Sequence, residues 1–450
     1  MIEGTDLYEY FSCPYKVYNR HNRDKSLMLP PSDFSRKLMD AGREHEKEVI
    51  SKIEHERPKY ARFDFKEGFN ETVKLMKKGV PNIYQGVLMD KNYMGIPDLL
   101  VKQEGKSKFG NYIYIAADIK SSLRSKESQI MQIIFYDMLL SKIQGKSTGK
   151  GIVYLKEEVE AVDLTKYKDK FEQALVKIDL ITDGLEYGLH IDTVCRDCPW
   201  KNVCIPSAIE THDVSLIYGL SRPNHYKLLE LGIKTFEDLE GADVEKLAEI
   251  EGIGVESVKK WKEQAKVLIT GKENITKIKL PEVEKHICLD IESKEDGTVY
   301  LIGLWDGKFK YFHSDDDEEK IVKSFVDYLL SLGSYNLYHY GSIERTIFKK
   351  LFDKYKIPAD VSKSILSKMM DLLVLVRKNA ILPISFYNLK DVAKYFGYKW
   401  RASDASGSNS MVWYQEWIDK QDKEMLKKII DYNEDDVKAT ALVLKRLSNE

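Results

Sequence analysis

The chain has 450 residues, 43% hydrophobic and 32% charged, a length that exceeds one ordinary core and predicts two or three globular domains. Its 70 Lys and Arg nearly balance 72 Asp and Glu, so net charge gives no support to nucleic-acid binding and only local charge distribution bears on it. Five cysteines, clustered as ligands, fit a reducing compartment better than a disulfide framework, and the lack of a cationic leader or long apolar window argues against a membrane partner and predicts a cytoplasmic location.

Four of the five cysteines bracket the first segment: Cys13 near its start, and Cys195, Cys198 and Cys204 near its end beside Pro199 and Trp200. Cys195-x2-Cys198 supplies a short chelating turn, whereas the wider gap to Cys204 and the remote Cys13 depart from the paired knuckles of common zinc modules. Four thiolates hold either zinc or an iron–sulfur cluster. The bland alternative makes Cys13 a buried small hydrophobe, and Cys288, inside an apolar run, is expected to be one.

Between these cysteines, residues 35–53 read as an amphipathic helix, with Phe34, Leu38, Ala41, His45 and Val49 recurring at steps of three and four, which places His45 on the buried face. Residues 82–89, 93–101 and 112–120 read as strands with turns at Asp90-Lys91 and around Gly105. Residues 128–143 return to helix and 151–155 give one more strand, the order of a mixed sheet flanked by helices.

Asp118 and Lys120 stand two apart on a strand and project from one face. A metal-dependent nuclease needs such a group: a carboxylate to anchor a divalent cation against the scissile phosphate, a second carboxylate to complete the site, and a lysine to orient water or stabilise charge. Asp98, in Gly95-Ile96-Pro97-Asp98, is the natural second carboxylate. Gln132 and Tyr136, four apart on the following helix, share a face.

These pieces resemble the RecB-type branch of the PD-(D/E)xK nucleases, particularly the iron–sulfur members related to the CRISPR adaptation nucleases and to helicase–nuclease subunits. The resemblance rests on Gly42-Arg43-Glu44-His45-Glu46, Gly95-Ile96-Pro97-Asp98, Ala117-Asp118-Ile119-Lys120, Gln132-Ile133-Ile134-Phe135-Tyr136 and the order of the four cysteines. It implies a PD-(D/E)xK restriction-endonuclease-like core over residues 1–208. It further implies that His45, Asp98, Asp118 and the Ile119 carbonyl ligate a catalytic metal, that Lys120 serves catalysis, and that Gln132 and Tyr136 contact DNA or support the site. By the same resemblance Cys13, Cys195, Cys198 and Cys204 hold a [4Fe-4S] cluster, with zinc as the alternative.

Residues 214–272 read as short helices joined by glycine turns, with Leu231-Gly232-Ile233, Thr235 through Leu239, and Ile250-Glu251-Gly252-Ile253-Gly254 as the punctuation. The pattern resembles an all-α helix-hairpin-helix module, assigned to residues 209–275. In such hairpins the turn at Gly252 and Gly254 leaves backbone N–H groups at a helix start to hold a phosphate without reading sequence. Lys259, Lys260 and the lysines through Lys279 add backbone attraction, or simply form a solvated helix face.

From residue 284 the order is strand (286–292), hairpin (299–305 and 308–313 across Asp306-Gly307), helix (318–332), strand (335–339) and helix through 351, as expected of a ribonuclease H-like fold. Asp290 and Glu292 share a strand face, and Tyr432 and Asp436 lie four apart on a helix. This segment, residues 283–450, resembles the DnaQ-like 3′–5′ exonucleases, most closely the YprB-type ribonuclease H-like domains. The carrying residues are Asp290-Ile291-Glu292, residues 338–344 ending in Glu344, Asp371-Leu372-Leu373 and residues 432–436. The second motif of that family usually ends in aspartate, so Glu344 is a departure. The resemblance implies Asp290, Glu292, Glu344 and Asp436 as metal ligands and Tyr432 as the group positioning water. Asp371 is either an extra acid or a helix cap.

The expectation is therefore a multidomain α/β protein that hydrolyses phosphodiester bonds in nucleic acid, DNA in the first instance, with Mg2+ or Mn2+ in both catalytic domains and a helicase as a possible partner. The alternative is a catalytically inactive nucleic-acid-binding or scaffolding partner of a helicase. Clustered carboxylates weigh against the scaffold, because their mutual repulsion calls for a cation.

Overall fold

A computed structural model describes residues 1–294, 296–402 and 406–449. Contacts divide the chain into two compact units, Met1–Leu189 with Asp197–Cys204, and His190–Arg196 with Ile205–Glu450. The second unit thus holds both of the segments expected as separate modules, 209–275 and 283–450.

The first unit runs β1 (Ile2–Glu3), α1 (Gly4–Ser12), α2 (Pro14–Asn22), α3 (Asp33–Ser51), α4 (Phe65–Lys78), β2 (Asn82–Tyr84), β3 (Leu88–Asp90), β4 (Tyr93–Gly95), β5 (Leu99–Ser107), β6 (Gly110–Ile119), α5 (Glu127–Gln144), β7 (Lys150–Tyr154), β8 (Val159–Asp163) and α6 (Lys168–Thr182). Its main sheet has the order β2-β5-β6-β7-β8, with β6 and β7 parallel and the other pairs antiparallel. The run from Ile113 to Ala117 is apolar on both sides because both faces of the strand are covered. Tyr114 and Ala116 pack with α5 residues, and Ala117 and Ile119 with Ile50 of α3 and Leu99. α5 is buried around most of its circumference and needs no amphipathic stripe.

Three local expectations are corrected. Residues 82–89 and 93–101 each break into two strands, because Gln85 at φ 51° ends β2 and the Ile96-Pro97 step ends β4. The β5–β6 hairpin turns at Lys108-Phe109, while Gly105 sits inside β5 at a register shift. In α3 the apolar spacing does not produce a buried stripe: Leu38 and Met39 are exposed, Ile50 is buried, and His45 is half-buried. Only the last turns of that helix meet the sheet.

α7 (Lys201–Glu210) carries Pro206 inside it. In the second unit α8 (Arg222–Glu230), α9 (Phe236–Gly241), α10 (Val244–Ala248) and α11 (Val255–Thr270) gather around Leu228, Phe236, Leu239, Leu247, Val258 and Trp261. There follow β9 (Asn274–Ile275), β10 (Lys285–Ser293), β11 (Val299–Trp305), β12 (Phe309–His313), α12 (Glu318–Leu330), β13 (Tyr335–His339), α13 (Ile343–Lys354), α14 (Ala359–Ser367), β14 (Met369–Asp371), α15 (Leu372–Asn379), β15 (Ala380–Ile381), α16 (Leu389–Tyr395), α17 (Gly407–Lys420) and α18 (Lys423–Leu447). The sheet order is β12-β11-β10-β13-β14, with β10, β13 and β14 parallel and the hairpin strands antiparallel. β10 is central, and α18 packs against it through Val437, Val443 and Leu444, in the cluster that also holds Cys288, 1% exposed. The helical segment is tied to this domain by β9 pairing with β15 and by Tyr218 stacking on Tyr387 at 4.3 Å.

Among the described residues, no helix is long and apolar enough to cross a membrane.

Candidate active sites

β10 and α18 build the more compact acidic centre. The period of two along β10 turns Asp290 and Glu292 to one side, and the helical repeat of α18 brings Asp436 beneath them. Ligand oxygens of Asp290, Glu292 and Asp436 all lie within 4.8 Å of one another, the closest such grouping of acidic, His or Cys side chains among the described residues. Neighbours fix each carboxylate. Asn433 Nδ2 donates to Asp290 Oδ2 at 2.8 Å, and Trp400 Nε1 donates to Asp436 Oδ1 at 2.6 Å. Tyr432, 7% exposed, lies beside Asp436 and helps to lower that carboxyl's pKa.

Three carboxylates this close resist joint ionisation. Burial, then Asp436, Glu292 and Glu344, hold the Asp290 carboxyl well above its usual range. Burial and then Asp436 push Glu292 up to about 8. Burial raises Asp436 to about 6, against the lowering effect of Trp400, Tyr432 and Lys390. An all-oxygen donor set with excess negative charge fits a hard divalent cation such as Mg2+ or Mn2+. Asn433 Oδ1 is a further buried acceptor with no hydrogen-bond partner among the described residues.

Glu344 stands apart from this grouping. It occupies the first turn of α13, with Oε2 buried and 3.4 Å from His339 Nδ1. Asp371 is a helix cap, accepting from Leu373 N at 2.9 Å and Gly341 N at 3.0 Å.

Asn433, Trp400 and Lys390 were missed from sequence. Asn433 and Asp436 are three apart on one helix, a spacing that signals a shared face. Gly303 carried a second signal. It is registered opposite Asp290, and a Cβ there would come 1.7 Å from Asn433 Oδ1, so the glycine is what admits the asparagine. Lys390, on α16, lies 5.1 Å from the Tyr432 ring centre and 5.7 Å from that of Trp400.

The first unit holds a different acidic pair. Asp98 precedes β5 and Asp118 is the next-to-last residue of β6, and the backbone braces them crosswise: Ile119 N donates to Asp98 Oδ2 at 2.7 Å and Asp98 N to Asp118 Oδ1 at 3.4 Å. Lys120 Nζ lies 3.0 Å from Asp118 Oδ2, which makes no hydrogen bond of its own. Burial, then Asp118, push Asp98 up to about 7. Burial works to depress Lys120, but Asp118 and Asp98 outweigh it and leave its pKa raised.

His45 presents a buried Nε2 with no hydrogen-bond partner among the described residues, but it does not join Asp98 and Asp118 in a grouping as close as that in the second unit. Tyr136 is 3% exposed and accepts from Gln132 Nε2 at 2.8 Å, while Gln132 is half-buried. Glu46, unforeseen, accepts from Tyr84 and Gln85 and adds negative charge felt by Asp98.

Cys13, Cys198 and Cys204 are buried in the first unit. Burial raises Cys204 to about 11, with Cys198 and Cys13 adding to the rise, and raises Cys198. Asn19 Nδ2 donates to Cys204 Sγ at 3.3 Å. Cys195 belongs to the second unit, where its Sγ approaches the His190 carbonyl at 3.8 Å. In the helical segment Gly252 takes φ +84°, Gly254 caps α11, and Lys259 and Lys260 are exposed on that helix, Lys259 paired with Glu256 at 3.3 Å.

Residues 287–448 match the family RNase_H_2, described as RNase_H superfamily, and residues 226–266 match a SAM-like Helix-hairpin-helix tandem. None of the curated proteins matches the chain. The acidic centre of β10 and α18 thus lies in an RNase H-like domain, joined to a helical module of a kind that binds nucleic acid.

Proposed function

We propose that the chain is a divalent-metal-dependent nuclease whose principal centre is Asp290, Glu292 and Asp436. The observation that carries this is the convergence of three carboxylates within 4.8 Å in a domain of the RNase H superfamily. When bound, a divalent cation supplies Lewis-acid polarisation of the phosphate and lowers the pKa of attacking water. Asp290, Glu292 and Asp436 would hold it. Asn433 fixes the rotamer of Asp290, Trp400 fixes that of Asp436, and Tyr432 is placed to orient the attacking water. Glu344 adds negative potential from outside the set.

The reading extends to the first unit, where Asp98, Asp118 and Lys120 form a second hydrolytic centre of the RecB type, with His45 and the Ile119 carbonyl as its remaining ligands. The buried thiols of Cys13, Cys198 and Cys204, none in a disulfide, suit a soft metal, zinc or iron–sulfur. In the helical module the Gly252–Gly254 turn, Lys259 and Lys260 would hold backbone phosphates.

The test uses full-length protein, labelled DNA and RNA oligonucleotides and Mn2+. Asp290→Asn is expected to remove one activity by about 1,000-fold or more, and Asp118→Asn a separable one. A protein in which each variant keeps all the activity of the parent is not this enzyme. Iron and zinc analysis of anaerobically purified protein reads the thiols: neither metal present would refute their assignment.

A further inference from the structure

We propose that a lysine-rimmed hollow in the first unit, remote from the Asp98–Asp118 centre, holds a single polynucleotide strand whose bases enter the hollow and whose phosphates meet Lys77, Lys91, Lys108 and Lys142. This deepens the nuclease reading and rests on it for the class of ligand.

The hollow measures about 1190 Å³, and all of its walls belong to the first unit. Four separate stretches build it: α4, the β3–β4 turn, the β5–β6 turn and the end of α5. α4 turns Gly68, Thr72, Leu75 and Met76 into the core, which leaves Lys66, Phe69, Val73 and Lys77, at steps of three and four, on the side that lines the hollow. The two turns and α5 add Lys91, Lys108 and Lys142. These five lysines are exposed, and none has an ion pair or a side-chain hydrogen bond among the described residues. Lys74, also on the wall, pairs with Glu71, and the carboxylates that line the hollow are Glu67 and Asp90. The rim is therefore positive in a chain whose net charge is −2. A merely solvated lysine face runs along one helix; here the cations come from four stretches and meet around one hollow.

Below the lysines the floor is apolar. Phe69, Val73, Met89, Phe109 and Ile143 are half-buried there, and Phe109 stacks with Tyr112, ring centres 6.4 Å apart. Rings recessed beneath cations are what a sequence-tolerant single-strand site uses, a base stacking on a ring while lysines take the phosphates on either side. A duplex keeps its base faces inside the helix and offers this floor nothing. An acidic peptide matches the lysines equally, so the rings are what favour a nucleic acid. Asp98 precedes β5 and Asp118 lies near the end of β6, whereas Lys108 and Phe109 form the turn at the far end of that hairpin. The rise along a strand puts about 30 Å between the two places. A polynucleotide held in the hollow reaches the acids only by its continuation, so the hollow governs how tightly a substrate binds and not how fast its bond breaks.

Binding is measured on the full chain in chelator, by fluorescence anisotropy of a labelled oligothymidylate across a salt series. Losing three single-strand phosphate contacts in Lys91→Ala/Lys108→Ala/Lys142→Ala is expected to lower the slope of log Kd against log salt by about 2. Phe109→Leu is expected to weaken binding about 10-fold at an unchanged slope, because stacking on a ring releases no counterion. With Mn2+, the triple variant should raise KM by about 10-fold for the hydrolysis that Asp118→Asn removes and leave kcat as in the parent. A triple variant with the parent slope, or Phe109→Leu with the parent affinity, overturns the proposal. So does poly-glutamate displacing the labelled strand as well as unlabelled oligothymidylate does, which would assign the hollow to an acidic protein segment. If the parent hydrolyses nothing, the nuclease reading fails, and the chelator titration still decides the hollow.

Discussion

At the Asp98–Asp118 centre a lysine of the same chain stands 3.0 Å from a carboxylate oxygen, whereas at the Asp290–Glu292–Asp436 centre the three carboxylates face one another and Asp436 takes its hydrogen bond from the neutral indole of Trp400. The first centre carries part of its own neutralisation; the second leaves more of it to a bound cation. Buried charge is tolerated when paired, and where the partner is absent the group protonates instead. Lys120 is thus a structural counter-ion as well as a candidate for catalysis, and the second centre should depend more steeply on metal and on pH.

The largest effect that would break this contrast is on Lys120. Asp118 is 2% exposed, so Lys120→Met leaves a buried carboxylate unpaired and is expected to cost about 3 kcal/mol in urea denaturation of metal-free protein. Added Mn2+ should return part of that loss. A variant as stable as the parent would show that Lys120 does not neutralise Asp118.

Next in size is pH. Glu292 is pushed up to about 8 and Asp436 to about 6, from ordinary values of 4.5 and 3.8. A carboxyl raised in the folded state holds a proton that the unfolded chain releases, so its contribution is fully present below the unfolded value and lost as pH rises through the folded one. Chelated protein should therefore lose thermal stability progressively between about pH 4 and pH 8. Mn2+ should flatten that loss, and Asp290→Asn should also reduce it by removing a carboxyl that is itself held well above its usual range. A midpoint that rises with pH across this window in chelator would contradict the picture. Asp98, raised to about 7, adds to the same slope from the first unit.

How far these centres could be read from sequence follows from how locally each is encoded. Asp290 with Glu292, and Tyr432 with Asp436, are fixed by the periods of one strand and one helix, and the β10-to-α18 packing brings them together. Asp118 and Lys120 were legible for the same reason. Trp400 and Lys390 come from a segment whose only link to the acids is tertiary, so no spacing announced them. The α3 reading failed differently: Leu38 has the spacing of a core residue but is exposed, because periodicity states which residues share a face and not whether anything covers it. Gly105 marked a bulge rather than a turn, a distinction that depends on strand register.

The smallest expected effect on stability, and the finest test of the contrast, is Gly303→Ala. The new methyl would lie 1.7 Å from Asn433 Oδ1, so the amide must turn away, and its 2.8 Å hydrogen bond to Asp290 goes with it. Because the obstructing atom is the end of a side chain, the fold can yield at a cost of about 1 kcal/mol. What should suffer is the aim of Asp290. Calorimetric Mn2+ affinity of the RNase H-like centre is expected to fall about 10-fold, the scale on which residues orienting a metal ligand act. Asn433→Ala should reproduce that loss, and the two changes combined should do no more than either, since both remove one hydrogen bond. Additive losses would mean that Gly303 shapes the centre by another route. The Asp98–Asp118 centre, braced by backbone N–H groups that no side-chain rotation can withdraw, offers no comparable point of failure.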